Sequence, residues 1–272
     1  MKDNYSLGED ILNVENVSLS IDGNLILRDI NLNIKDIIRP GHIQGQIISL
    51  LGNSGAGKTQ LFKLLSGLNK PTTGTILLGP DKIPVKAGDV GVVAQNYPLF
   101  EHRTVWSNLE MVTKEKTPAE RKERIEFYLN RFKLLDSKDK YPAQLSGGMR
   151  QRIAIIQQLL CSEFFLLMDE PFSGLDPVMK DNTCKMIEEV ANLNEKTTII
   201  IVSHDIPSTV AISQYVWLLG FDYDGDGNKI PGSRIKYMEN LMDRGLSWKP
   251  DLVNTSEFFS FVKDIRNTFN EL

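Results

Sequence analysis

Alternating apolar and polar positions dominate the first part of the chain. Residues 12–21 (LNVENVSLSI) and 25–34 (LILRDINLNI) alternate in this way, and the polar residues 22–24 (DGN) join them. Alternation with a period of two is typical of a strand that buries one face, and a short connection containing Asp-Gly is typical of a β-hairpin. We therefore expect an antiparallel hairpin. We interpret the polar stretch 35–46, which contains Pro-Gly, as an exposed loop.

Short apolar runs later in the chain predict further strands. These runs are residues 47–51, 74–78, 89–94, 164–168 and 197–202. The last two consist almost entirely of aliphatic, aromatic and β-branched residues, which is the pattern of parallel strands buried on both faces. The sequence thus predicts a second sheet, distinct from the hairpin.

Helical periodicity appears between and after these strands. Residues 105–135 are charged and amphipathic with a period of 3.6 residues, so we expect a helical insertion there. Another helix is predicted from residue 145 to about 160, with Ser146 as its N-terminal cap. The end of the chain predicts an amphipathic helix, capped by Asn254 or Ser256, whose apolar face carries Phe258, Val262, Ile265 and Phe269. Strands combined with helices in this way indicate an α/β fold.

The run 47–51 leads directly into a phosphate-binding pattern. Residues 52–59 fit GxxxxGK[ST] in the order Gly52, Asn53, Ser54, Gly55, Ala56, Gly57, Lys58 and Thr59. The glycines let consecutive N–H groups turn toward phosphate oxygens at the start of a helix, whose dipole favours anions. Lys58 adds a charge for the β- and γ-phosphates, and the Thr59 hydroxyl is suited to Mg²⁺. The stretch predicts a nucleotide site.

Two carboxylates, Asp169 and Glu170, follow the apolar run 164–168. The ends of buried parallel strands are where α/β folds bind ligands. Because adjacent strand residues point in opposite directions, Asp169 is placed to hold the Mg²⁺ shell while Glu170 faces a water at the γ-phosphate. We expect Pro171 to end the strand and to push Glu170 toward an extended backbone.

Gln95 and His204 also follow predicted strands. Gln95 either ligates Mg²⁺ or hydrogen-bonds the attacking water, or it is an ordinary turn residue. His204 is either structural or hydrogen-bonded to the γ-phosphate. The local sequence leaves both alternatives open.

A second anion-binding pattern lies in residues 145–152 (LSGGMRQR). Ser146, Gly147 and Gly148 stand at the predicted start of a helix, where free N–H groups attract anions. Either the chain binds two phosphorylated groups, or this second anion-binding segment, residues 146–148, contacts the nucleotide bound by another chain. We call this segment the second cradle.

Taken together, these motifs resemble the nucleotide-binding subunit of an ATP-binding-cassette (ABC) transporter. The resemblance runs from about residue 12 to residue 234 and rests on GNSGAGKT, Gln95, LSGGMRQR, LLMDEP at 166–171, SGLD at 173–176 and His204. It favours functional roles for Gln95 and His204. It implies an ABC ATPase core with a mixed or parallel sheet, an N-terminal antiparallel β subdomain and a helical subdomain. The domain organisation that we expect is an ABC ATPase domain at residues 1–240, which includes a helical subdomain at about 96–160, followed by a C-terminal helical tail at residues 241–272.

The resemblance also implies partners and cofactors. Two copies, or this chain and a similar subunit, would form a head-to-tail dimer that holds two ATP molecules with Mg²⁺. Each ATP would lie between one subunit's loop 52–59 and the other's residues 146–148, with Asp176 near the partner's loop. Residues 97–104 would contact a membrane permease, and a solute-binding protein is a further expected partner.

The function implied by the resemblance is ATP hydrolysis that powers solute transport through a separate permease. The segment QNYPLFEHRTVWSNL resembles importers, with a leaning toward nitrate, sulfonate or taurine systems. An exporter ATPase is the nearest alternative. A soluble ABC ATPase in DNA repair or translation is a different class, which generally has two cassettes or a long coiled-coil insertion. A nucleotide-binding scaffold is a third, and the intact residues Lys58, Asp169, Glu170 and His204 argue against it.

One residue and one loop depart from the family's usual pattern. Ile21 stands where an aromatic residue usually stacks on adenine, and the loop 35–46 is longer than usual. Stacking of a base on an aromatic side chain is worth roughly 1–3 kcal/mol. We therefore expect modest ATP affinity and poor discrimination against GTP.

A third departure is the aspartate-rich stretch 222–227 (DYDGDG), which resembles the first half of an EF-hand loop. The position that should carry the bidentate Glu is Ser233, and the flanking segments VWLLGF and SRIKYM predict strands rather than helices. We interpret the stretch as a polar hairpin turn, with a calcium site as the alternative.

Composition restricts the remaining classes. A net charge of -4 over 272 residues argues against a general nucleic-acid surface. No apolar run approaches the ~18 residues of a membrane span, and the N-terminus lacks a signal-peptide core. The two cysteines, Cys161 and Cys184, lack metal-ligand spacing. We expect a cytoplasmic protein that lies peripherally on the inner face of the cell membrane.

Overall fold

Two β-sheets form the framework of the chain, whose computed structural model describes residues 5–113, 116–162, 165–249 and 251–270. The strands are β1 (Ser6–Ile21), β2 (Asn24–Ile38), β3 (Gln46–Gly52), β4 (Thr73–Leu78), β5 (Ile83–Pro84), β6 (Gly91–Val93), β7 (Phe165–Asp169), β8 (Thr198–Ser203), β9 (Tyr215–Gly220) and β10 (Arg234–Asn240). An antiparallel sheet has the order β2-β1-β4-β5, and a mixed six-stranded sheet has the order β10-β9-β3-β8-β7-β6.

The predicted hairpin of β1 and β2 is confirmed. Its turn residues Asp22 and Gly23 both have positive φ, at 50° and 79°. Two-residue turns with this geometry match the right-handed twist of the strands, and Asp-Gly is a favoured sequence for them. The predicted strand 74–78 joins this sheet as β4, which pairs with β1.

The predicted loop 35–46 is wrong at both ends. β2 continues to Ile38, and Gln46 belongs to β3, where it is 1% exposed. The physical reason is that Ile37 is buried and continues the inward-facing set of β2, paired with Leu7 of β1. Leu7 precedes residue 12, where the predicted hairpin begins, so the alternating pattern did not include this pair.

The six-stranded sheet carries the residues of interest at its strand ends. β3 lies between β8 and β9 and is parallel to both, and β7 continues the parallel arrangement on the other side of β8. Every residue of β3 and β8 is buried. The first residue of the predicted strand 164–168, Phe164, lies outside the described residues, and the observed strand is β7.

The helices are α1 (Lys58–Leu65), α2 (Val105–Met111), α3 (Pro118–Arg131), α4 (Gly147–Cys161), α5 (Pro177–Ala191), α6 (Ile206–Ile212) and α7 (Ser256–Asn270). Among the described residues of the predicted insertion 105–135, the regular elements are helices, and none is a strand. α2, α3 and α4 pack through a common apolar cluster that contains Val105, Leu109, Ile125, Leu129 and Ile153. The insertion is therefore helical, as predicted, while the exact domain boundaries remain predictions.

The C-terminal helix α7 packs on the core of the same chain. Its side chains Phe258, Val262 and Ile265 are buried against an apolar cluster that includes Leu51 of β3 and Val210 of α6. The predicted cap was wrong, because the hydroxyl that accepts from the N–H of Phe258 belongs to Thr255, at 3.3 Å. In the described parts of the chain, no helix is both long and apolar enough to cross a membrane.

Candidate nucleotide site

The loop 52–59 connects the end of β3 to the first turn of α1. Gly57 caps α1 with φ 85°, a left-handed conformation that L side chains rarely adopt. A Cβ at this position would also lie 3.0 Å from Cδ2 of Leu27. The conformation leaves the first N–H groups of α1 without side-chain caps, which is the arrangement that binds phosphate.

Lys58 folds back over the loop that precedes it. Its Nζ donates to the carbonyls of Gly52, at 2.7 Å, and Asn53, at 3.2 Å. Burial lowers the pKa of the Lys58 ammonium, and the charges of Glu170 and Asp169 partly offset that effect. A half-buried ammonium held by carbonyl dipoles is available to an anion that enters the loop.

The loop is also held from the end of the chain. The side-chain Nδ2 of Asn53 donates to the backbone carbonyl of Phe269 in the last turn of α7, at 3.2 Å. The C-terminal helix therefore touches the phosphate loop directly, a contact between residues 216 positions apart that no local pattern could indicate.

Asp169 and Glu170 lie at the end of β7, opposite the loop. Burial raises the pKa of the Asp169 carboxyl, the neighbouring Glu170 raises it further, and Lys58 opposes both effects. A partly buried carboxylate of this kind gains stability when a cation binds beside it.

The backbone of Glu170 differs from the prediction. Its φ is 47°, so it is left-handed rather than extended. Pro171 disfavours the right-handed helical conformation at this position, and the hydrogen bond from the N–H of Glu170 to the carbonyl of Val202, at 2.8 Å, holds the chain in a sharp turn. Such non-glycine conformations cost roughly 1–3 kcal/mol and persist where the surrounding structure fixes them.

The carboxylate of Glu170 is held by the end of β8. Its Oε2 accepts from the hydroxyl of Ser203 at 3.0 Å and from the backbone N–H of His204 at 3.4 Å. Nδ1 of His204 lies 2.9 Å from the same oxygen. Neighbouring parallel strands thus bring the two predicted residues, Glu170 and His204, into direct contact.

A cavity of about 570 Å³ collects most of the predicted site residues. The predicted residues that line it are Ile21, Ser54, Gly55, Gly57, Lys58, Thr59, Gln95, Asp169 and Glu170. They come from four separate segments of the chain. The oxygen atoms of Thr59, Gln95 and Asp169 form the hard donor set that suits Mg²⁺, so the residues present fit that ion.

Sequence reasoning missed four residues of this cavity. Asp22, Asn24 and Ile26 line it beside Ile21, and Gln60 lines it beside Thr59. The Oε1 atom of Gln60 is buried without a hydrogen-bond partner. Its position directly after Thr59, in the first turn of α1, is the signal that could have identified it.

His204 does not line the first cavity. Its side chain is 66% exposed and lines a second cavity of about 490 Å³, together with Lys180, Asp205 and Arg266. Burial favours a higher pKa for Asp205, but its hydrogen bonds with Lys180 and Ser208 outweigh burial and hold that pKa below its usual value. His204 therefore stands between the Glu170 carboxylate and a separate, charged groove.

The second cradle lies apart from the first cavity. Ser146 caps α4 by accepting from the N–H of Met149, and Asp176 caps α5 by accepting from the N–H of Met179. A Cβ on Gly148 would lie 3.8 Å from Met179, so the two caps are neighbours. Ser146, Gly147, Gly148 and Asp176 are not among the residues that line the 570 Å³ cavity.

Comparison with known proteins agrees with this geometry. The family model described as ABC transporter matches residues 40–173. The nitrate import ATP-binding protein NrtD of Synechocystis sp. is 34% identical over 197 residues, which cover 71% of this chain and 70% of that protein. The chain belongs to the ABC transporter family. Two further relatives are named as ATP-binding proteins for the import of sulfate/thiosulfate and of spermidine/putrescine.

Other members of the family show how far the similarity extends. The bicarbonate transport ATP-binding protein CmpC of Synechococcus elongatus is 37% identical over 228 residues, which cover 80% of this chain but 33% of that protein. This chain therefore spans about a third of that relative. The structure of cbiO1 from Clostridium perfringens, part of the ABC transporter complex cbiONQ, has a TM-score of 0.71 at 28% identity and covers 87% of this chain and 91% of its own. The predicted ABC ATPase fold is confirmed.

Proposed function

We propose that this protein binds and hydrolyses ATP to power the import of a solute through a separate membrane permease. The observation that carries the proposal is the single cavity in which the phosphate loop, with Lys58 and Thr59, faces Gln95, Asp169 and Glu170. Its chemistry is that of phosphoryl transfer, in which positioning and charge stabilisation supply most of the catalysis.

The loop would bind the triphosphate through its N–H groups. Lys58 would exchange the carbonyls of Gly52 and Asn53 for β- and γ-phosphate oxygens. Thr59, Gln95 and Asp169 would hold Mg²⁺, which neutralises phosphate charge when bound. A cation bound beside the half-buried Asp169 carboxylate would compensate a negative charge that burial disfavours, which supports this arrangement.

Glu170 is the proposed general base. Its three contacts with Ser203 and His204 all involve Oε2, which leaves Oε1 to accept the proton of an in-line water. His204 is proposed to reach the γ-phosphoryl group by rotation of its exposed side chain out of the neighbouring groove. The hydrogen bonds to Oε2 fix the direction of the carboxylate before the nucleotide arrives, which is the preorganisation that catalysis requires.

The second cradle is proposed to act on the nucleotide of a partner subunit. Ser146, Gly147, Gly148 and Asp176 stand apart from the chain's own cavity, and the N-terminus of α4 attracts anions. A head-to-tail dimer, formed by two copies or by this chain and a similar subunit, would place each cradle over the other's phosphate loop. Closing the dimer on ATP and opening it after hydrolysis would drive the permease.

The segment between Gln95 and α2 is the proposed permease contact. Phe100 is 45% exposed, while its backbone N–H and carbonyl are both bonded to the side chain of Asn108, which is fully buried. An exposed aromatic residue on a backbone held this firmly is suited to docking. The contact would place the protein on the inner face of the cell membrane, with a solute-binding protein as a further partner.

The names of the relatives do not share one substrate, since they include bicarbonate, nitrate, sulfate and spermidine. We propose that the permease and the solute-binding protein select the solute. The test is copurification of the tagged protein from cells solubilised in mild detergent, followed by ATPase assays with Mg²⁺ on the complex. Recovery of a polytopic membrane protein is expected. Recovery of soluble partners alone, such as ribosomes or DNA-repair proteins, would refute the transport function.

A further inference from the structure

A buried hydroxyl contacts the phosphate loop on the side away from the cavity. Ser233 is 0% exposed, and its Oγ donates to the backbone carbonyl of Ala56 at 2.6 Å. The carbonyl of Ile26 lies farther from the same oxygen, at 3.2 Å. A serine hydroxyl has one hydrogen to donate, so the shorter contact with Ala56 is the principal one. Ser233, which stands at the position of the bidentate Glu in an EF-hand loop, thus donates its hydrogen bond to the phosphate loop.

The contact determines where one loop N–H points. Ala56 and Gly57 share a peptide bond, and in a planar trans peptide the C=O and N–H groups point in opposite directions. Because Ser233 holds the carbonyl of Ala56, the N–H of Gly57 is directed away from Ser233. Gly57 lines the nucleotide cavity. A hydrogen bond to the carbonyl also polarises the N–H of the same peptide and strengthens it as a donor.

The backbone of Ser233 is itself fixed to β2. Its N–H donates to the carbonyl of Ile26 at 3.0 Å, and its carbonyl accepts from the N–H of Arg28 at 2.8 Å. These two bonds form a parallel bridge beside Leu27, the residue that packs on Gly57. The hydroxyl therefore reaches the loop from a rigid support.

An ion cluster anchors the hairpin that carries Ser233. Asp222, at the start of the aspartate-rich stretch, pairs with Arg28 of β2 at 2.5 Å, with Arg234 at 2.7 Å, and with Lys236. The side chain of Asp222 is only 16% exposed. Tyr223 and Lys229 form an antiparallel bridge in the turn, so the interpretation of the stretch as a hairpin turn is confirmed.

We propose that Ser233 is a positioning residue for the phosphate loop, and that Asp222 holds the hairpin so that Ser233 can act. The proposal rests on the proposed function, because it assigns the purpose of the contact to nucleotide binding. The connection between β9 and β10 is then part of the nucleotide site, although it contributes no side chain to the cavity lining. Coupling is reciprocal, so nucleotide binding should in turn protect this hairpin from hydrogen exchange.

The first test compares Ser233→Ala with Ser247→Ala. Ser247 is a matched control, since it is 2% exposed and its hydroxyl donates to the carbonyl of Ser213 at 3.0 Å, away from the loop. We expect Ser233→Ala to weaken binding of a fluorescent ATP analogue by about tenfold, because one hydrogen bond is lost and a buried carbonyl is left unpaired. Amides of residues 52–60 should also exchange faster in the nucleotide-free protein. Ser247→Ala should change neither quantity.

A second pair keeps the proposal testable if Ser233→Ala does not fold. Asp222→Asn removes the charge at the centre of the cluster, and Asp226→Asn makes the same change at an exposed position of the same hairpin. We expect Asp222→Asn, but not Asp226→Asn, to weaken analogue binding and to speed amide exchange in the loop. Equal analogue affinity and equal loop exchange within both pairs would overturn the proposal. Absence of analogue binding by the wild-type protein would refute the proposed function itself, and the inference with it.

Discussion

Replacing Glu170 by Gln changes the charge of this side chain and little of its shape. The hydroxyl of Ser203 and the N–H of His204 both donate to Oε2, and an amide oxygen can accept the same two hydrogen bonds. The left-handed backbone at φ 47° is unaffected, since Gln and Glu have the same backbone requirements. We therefore expect Glu170→Gln to fold normally and to retain ATP.

The expected loss is in the chemical step. A neutral amide cannot accept the proton of the attacking water, and positioned general bases contribute roughly 10²- to 10⁴-fold to turnover. That range corresponds to about 3 to 5 kcal/mol of transition-state stabilisation. Binding of ATP should be unchanged or tighter, because a negative charge beside the triphosphate has been removed.

The assay is steady-state phosphate release by the purified complex, together with ATP affinity from equilibrium titration. Glu189→Gln provides the matched control, since Glu189 is an exposed residue of α5, and it should hydrolyse ATP at the wild-type rate. Turnover of Glu170→Gln within threefold of that control would refute the assignment of Glu170 as the base. A parallel loss of ATP binding would show that the residue acts in binding or folding instead.

Three further predictions concern the contact with the adenine base of ATP, the cap of α7 and the pH dependence of stability. Ile21→Tyr should tighten ATP binding by about tenfold in nucleotide titrations and improve selectivity over GTP, because an aromatic face would be supplied at the lip of the cavity, and equal affinities would contradict this. Thr255→Ala should lower the free energy of unfolding by about 1 kcal/mol in urea titrations through loss of the α7 cap, whereas Ser256→Ala should have little effect. Asp205→Asn should lower the free energy of unfolding by about 1 kcal/mol at pH 7, because it removes an ion pair with Lys180 that is part-exposed and therefore partly screened by solvent. The folded-state pKa of Asp205 is lowered, so the stability that its ionised carboxylate contributes is complete above the unfolded-state pKa of about 4 and is lost as pH falls through the folded-state pKa. The difference in stability between the two proteins should therefore begin to shrink as pH falls below about 4, and a pH-independent difference would contradict this.

The sequence alone was sufficient where the determining interactions are local. The hairpin turn at Asp22 and Gly23 follows from the conformations that those residues adopt easily. The cap of α4 by Ser146 involves atoms three residues apart. The glycines of the phosphate loop and the helix behind it likewise lie within a few positions of one another, although residues distant in the chain also hold the loop.

The placement of Glu170, by contrast, depended on a partner distant in the chain. The tendency that Pro171 imposes predicted an extended residue, but the hydrogen bond from Glu170 to the carbonyl of Val202 in the neighbouring strand selected a left-handed one. Thr255 was missed as a cap for a different reason. Adjacent polar residues at 254–256 are equivalent in sequence, and the packing of α7 on the core decides which of them precedes its first turn.

Sequence by itself determined the family, the α/β class and most of the residues that line the 570 Å³ cavity, because these depend on short motifs whose chemistry is complete within a few positions. Tertiary structure alone decided which motifs meet. It joined Glu170 to His204 across two strands, kept the Ser146 cradle apart from the cavity, and brought Ser233 to Ala56 over 177 positions. Contacts between distant segments are set by how the sheets pack, and packing is a property of the whole chain rather than of any local pattern.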